Sequence, residues 1–74
     1  MIVKEEILEK GSKKFHIIVE FDGENYVANG YLDGNLINNT NQSIAGKPEN
    51  KEYNESVIDN LLFLIKDDIL NHNY

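Results

Sequence analysis

The chain has 74 residues, no cysteine, and thirteen acidic against seven basic residues, for a net charge of −6. A chain this short buries only about 60% of its unfolded surface, and without disulfides its stability must come from packing or from association. Every basic residue is a lysine; arginine is the side chain suited to bidentate recognition of phosphate and guanine, and its absence argues against direct nucleic-acid binding.

Residues 1–10 admit two readings. Glu5 and Glu6 near the start, with Lys10 and Gly11 at the end, suit the charge pattern of a helix. The apolar residues Ile2, Val3, Ile7 and Leu8 make no helical stripe. As a strand turning at Lys10–Lys13, the segment sets Glu9 opposite Lys14 and Leu8 opposite Phe15, two favourable cross-strand pairs. The strand is the better reading and the helix the alternative.

Phe15–Asp22 alternates Phe15, Ile17, Val19 and Phe21 with His16, Ile18, Glu20 and Asp22, the period of a half-buried strand. Asp22-Gly23-Glu24-Asn25 reads as a turn. Tyr26–Leu32 is a second strand, in which Gly30 implies a bulge or close approach by another element, with the helix as the expected one. Asp33-Gly34 is a strong hairpin signal and returns the chain into a brief strand near Leu36–Asn39. Residues 40–53 then form a polar connection, longer than most, with room for a short element around Ile44-Ala45.

Asn54–Asn71 carries helical periodicity. Ile58, Leu61, Leu62, Ile65 and Ile69 recur at steps of three and four, and Val57 and Leu64 widen that stripe. Ser56 with Asp59, or Asn54, would cap the N-terminus. Phe63 and Leu70 are one heptad apart and fall outside the stripe, where they meet a partner or the 40–53 segment. The expected fold is α+β: one small domain over 1–74, a three- or four-stranded antiparallel β-meander with one C-terminal α-helix packed across it.

Chemistry is hard to find in these residues. Nucleophilic catalysis needs a nucleophile beside a base; Ser12 lies in a lysine-rich turn, and Ser43 and Ser56 have no histidine nearby in sequence. His16 sits in a strand beside Glu20, and His72 falls in a tail expected to fray. No run has the spacing of a metal or calcium site, and Ala45-Gly46-Lys47-Pro48 lacks the parts of a phosphate loop. The Asn-x-Ser/Thr triplets at Asn38, Asn41 and Asn54 are chance matches in an Asn-rich chain. A non-enzymatic protein without cofactor or metal is the expectation. No apolar run is long enough to span a membrane, and the charged MIVKEEILEK is no signal peptide. The chain reads as a cytoplasmic protein of a bacterial host.

An acidic chain is repelled by phosphate backbones and anionic lipids, so its natural partner is a protein with a basic surface. Glu20, Asp22, Glu24 and Asp33, with Glu5, Glu6 and Glu9, offer carboxylates for a negative surface on the sheet. Phe63 and Leu70 offer apolar anchors, with Tyr26, Tyr31, Tyr53 and Tyr74 in reserve, for that partner or for a homodimer.

The stretch FHIIVEFDGENYVANGYLDG, residues 15–34, resembles the opening of HicB-like antitoxin domains. The resemblance implies two strands around an acidic-glycine turn, a following helix on the sheet, and sequestration of a small basic toxin. The Leu-Pro-Gly turn typical of that family is absent. In small size and acidity the chain is also similar to phage-encoded inhibitors of host defence, including anti-CRISPR proteins.

Overall fold

The computed structural model of the chain describes residues 1–43, 51–72 and 74. Four strands follow one another, β1 (Ile2–Lys10), β2 (Lys13–Phe21), β3 (Asn25–Leu32) and β4 (Asn35–Ser43), and one helix, α1 (Lys51–Asn71), closes the order. The strands form one antiparallel meander in the order β1-β2-β3-β4, with α1 packed across one face. The expected α+β fold is thereby found, with the larger strand count.

The N-terminal segment is a strand, and it pairs Glu9 with Lys14 and Leu8 with Phe15 as the cross-strand chemistry requires. Asp33 (φ 53°) and Gly34 (φ 81°) are both left-handed and join β3 to β4 in two residues. That is the primed turn whose twist matches the strands it joins. Gly30 fulfils both expectations. A bulge falls between it and Tyr31 in the pairing with β4. A Cβ built at residue 30 would stand 3.3 Å from Ile69 Cδ1 and 3.4 Å from Ile65 Cδ1, so the missing side chain lets the helix sit close.

The core is sealed between β2, β3 and α1 by Phe15, Ile17, Val19, Tyr26, Ala28, Val57, Leu61, Leu62, Ile65 and Ile69. Phe21 stacks on Tyr26 at 4.5 Å between ring centroids, at the end of the sheet where β2 turns into β3.

Three expectations are corrected. β4 is a full strand of nine residues rather than a brief one near Leu36–Asn39. Its Asn-rich sequence has low strand propensity, but pairing along β3 overrides it. The helix starts at Lys51, so Asn54 and Ser56 lie inside it and neither caps it. Tyr53 explains the earlier start, since it packs on the core one turn before Val57. Within the stripe, Val57 is buried and Ile58 only partly so. The residues between β4 and α1, 44–50, lie outside the described residues, and the element expected at Ile44-Ala45 lies with them.

Beyond the helix, His72 and Tyr74 each have partners. His72 Nδ1 lies 2.8 Å from the Asp68 carbonyl oxygen and 3.0 Å from its carboxylate. The Tyr74 ring lies against Phe15 at 6.0 Å, and its hydroxyl donates to the Ile37 carbonyl at 3.4 Å. The last turn of α1 holds no basic residue. Lys10 supplies one from β1, donating to the Ile69 carbonyl at 2.9 Å and to that of His72. A cation there satisfies orphan carbonyls and opposes the negative end of the helix dipole.

Candidate protein-binding surface

One face of the sheet is covered by α1 and the other is open, and strand register decides which residues share it. Ile7 stands opposite His16, His16 opposite Tyr31, and Tyr31 opposite Leu36, so these four form a row across all four strands. The next row holds Glu5, Ile18, Asn29 and Asn39, and the one beyond it Ile2, Glu20, Val27 and Asn41. At strand spacings near 4.8 Å each row spans about 14 Å.

The middle of this face is apolar. Ile7 is 61% exposed and Leu36 54%, with half-buried Ile18, Val27 and Tyr31 between them. Its charges lie on β1 and β2: Glu5, Glu9, Lys14 and Glu20. Lys14 Nζ is 3.9 Å from Glu9, and His16 Nε2 is 3.9 Å from Glu5. Both contacts are loose and well exposed, the kind that contributes little to stability and is readily exchanged for a partner's charges.

The acidic residues expected to act together are spread apart. Glu20 lies on the open face, and Asp22 and Glu24 extend its negative edge past the end of β2. Asp33 sits in the turn at the other end of β3, about 25 Å away at 3.3 Å per residue. Glu6 leaves the set altogether. Alternation turns it toward the helix, where its carboxylate meets Lys66 Nζ at 3.0 Å. Asp22 is committed locally: its Oδ1 accepts the backbone N–H of Glu24 at 2.9 Å and of Asn25 at 2.7 Å. Those donors, Glu24's first, hold its carboxyl below the ordinary value.

Phe63 and Leu70 are 66% and 51% exposed on the outward ridge of α1, as the helical spacing implied. They lie on the opposite side of the molecule from the open sheet face, so one partner surface does not reach both. Asp59 and Asp67 flank Phe63 one turn away on either side. Of the tyrosines held in reserve, Tyr26 is buried and Tyr53 and Tyr74 pack on the core; only Tyr31 belongs to the open face. The row Ile7, His16, Tyr31, Leu36 escaped the sequence reading because it exists only once the register of three strand pairs is known.

Among the described residues no group of three or more His, Asp or Glu converges as a metal site requires, and no helix is long and apolar enough to cross a membrane. Compared with known proteins, the chain matches no family model, no curated protein and no solved structure.

Proposed function

We propose that this chain is a non-enzymatic binding protein that docks the open face of its sheet on a basic surface of another protein. The observation that carries the reading is the row Ile7, His16, Tyr31, Leu36, apolar except at His16, on a face whose β1 and β2 side carries Glu5, Glu9 and Glu20 against the single Lys14. An interface takes its affinity from a few anchors that lose contact with water. The carboxylates around them attract a cationic partner and set orientation and on-rate more than affinity. A basic patch of this kind commonly serves to hold nucleic acid, so occupying it is inhibitory. A phage or mobile-element inhibitor of a host defence protein is the concrete form of the proposal.

Phe63 and Leu70 form a second, narrower surface with only two apolar side chains between acidic neighbours. Self-association through that ridge would bring Asp59 and Asp67 of one copy toward those of the other, which is unfavourable.

The reading is tested by affinity capture from a bacterial host lysate with three forms of the chain. Wild type should retain a basic protein, and added nucleic acid should compete with it. Ile7→Ala with Tyr31→Ala should weaken that capture at least about tenfold. Phe63→Glu with Leu70→Lys should leave it intact. Loss of capture by the helix variant alone would move the binding surface to α1.

A further inference from the structure

Both outer strands of the sheet are nine residues long, and they are protected very differently. β1 carries Lys4, Glu5, Glu6, Glu9 and Lys10, and its pairing shifts register at Val3. Charges and bulges on an edge discourage a further strand from pairing there. β4, Asn35-Leu-Ile-Asn-Asn-Thr-Asn-Gln-Ser43, has no charged residue and no proline. Its one irregularity falls at Ile37, and Asn38–Ser43 run in unbroken register along β3. Among the described residues no strand pairs along the far side of Asn38–Gln42.

We propose that this edge pairs with the same edge of a second copy, giving an antiparallel β4–β4 dimer with one continuous eight-stranded sheet. Charge selects the occupant. In a two-fold interface each patch meets its own copy, and in a chain of net charge −6 most patches would repel themselves. β4 is the outer strand where two copies meet without facing charges, and its Asn, Thr and Gln side chains both donate and accept hydrogen bonds to their counterparts.

Apolar surface beside the edge points the same way. Leu64 is half exposed on α1 over a shallow hollow lined by Asn38, Asn39, Thr40, Ile65 and Asp68. Leu36 is exposed on the other face of β4. The dyad of an antiparallel strand pair runs through the sheet, so both helices fall on one side and each Leu64 turns toward its counterpart. Asp68, which lines the hollow beside this edge, is already engaged by Asn38 and His72. The two open faces fall together on the other side and double the platform proposed above for the partner. The dimer rests on β4 alone and does not require that reading.

Sedimentation velocity on the purified chain tests the proposal. Wild type should run at twice the 8.5 kDa chain mass. Asn39→Glu with Asn41→Glu, and separately Asn39→Lys with Asn41→Lys, should each run at the mass of one chain with unchanged circular dichroism, because like charges then face each other. Mixing the two variants in equal amounts should restore the doubled mass, since opposite charges now meet. Wild type that stays at one chain's mass up to about 1 mM, either variant that still dimerises, or a mixture that stays monomeric overturns the β4 pairing. Ile7→Ala with Tyr31→Ala, which spares this edge, should dimerise normally, so loss of the partner and loss of the dimer are read apart.

Discussion

Lys66 Nζ sits 3.0 Å from both carboxylate oxygens of Glu6, a contact that ties the middle of α1 to an edge strand sixty residues away in sequence. Both side chains are about one-third exposed, so the pair lies between a screened surface bridge and a buried one. A double-mutant cycle with Glu6→Gln and Lys66→Met should give a coupling of roughly 0.5–1 kcal/mol in urea denaturation, diminished by salt. Coupling below about 0.2 kcal/mol would mean that apolar packing alone holds the helix over β1.

Leu61 and Ile65 are almost wholly buried at the centre of the helix–sheet contact. Leu61→Ala or Ile65→Ala should each cost roughly 2–5 kcal/mol, enough to unfold much of so small a protein. Denaturation curves showing a loss below about 0.5 kcal/mol at both positions would contradict the assigned face.

Gly30 makes the opposite case. Its would-be Cβ already lies at 3.3–3.4 Å from the Ile69 and Ile65 methyl groups, so a branched side chain has nowhere to go. Gly30→Val, which suits a strand by propensity, should nonetheless destabilise by about 1–3 kcal/mol through overpacking. A thermal melt showing stabilisation would mean that the helix can shift outward freely.

Much of the fold was legible because local signals agreed with each other. Period-two alternation in Phe15–Phe21, the Asp33-Gly34 turn and the helical spacing of Leu61, Ile65 and Ile69 all point to one sheet beneath one helix. Signals failed where a tertiary contact decided the outcome. β4 is a strand because β3 pairs with it, and α1 begins early because Tyr53 finds the core. Lys10 has the chemistry of a helix end and serves one, but the helix is α1 rather than its own segment. The exposed pair Phe63 and Leu70 followed from the helical wheel. The open-face row did not, because register across three hairpins is a long-range property.

Asp22 sets a pH dependence whose sign follows from its lowered folded pKa. A carboxyl held lower in the folded chain than in the unfolded one stabilises above its ordinary value and loses that contribution as pH falls through the depressed one. The stability gap between wild type and Asp22→Ala, read from urea midpoints between about pH 7 and pH 2, should be constant at the upper end and shrink below about pH 4. A gap that widens on acidification would contradict the Asx turn at Asp22 as the source of the shift.

The central claim is that the open sheet face is where a protein partner binds, and amide chemical-shift mapping addresses it most directly. Isotope-labelled chain would be titrated with the purified basic protein that wild type captures. The expected perturbations cover Glu5–Glu9, His16–Glu20, Val27–Tyr31 and the residues around Leu36, with the α1 ridge from Asp59 to Leu70 little changed. Perturbations concentrated on that ridge, with the open face unmoved, would contradict the claim.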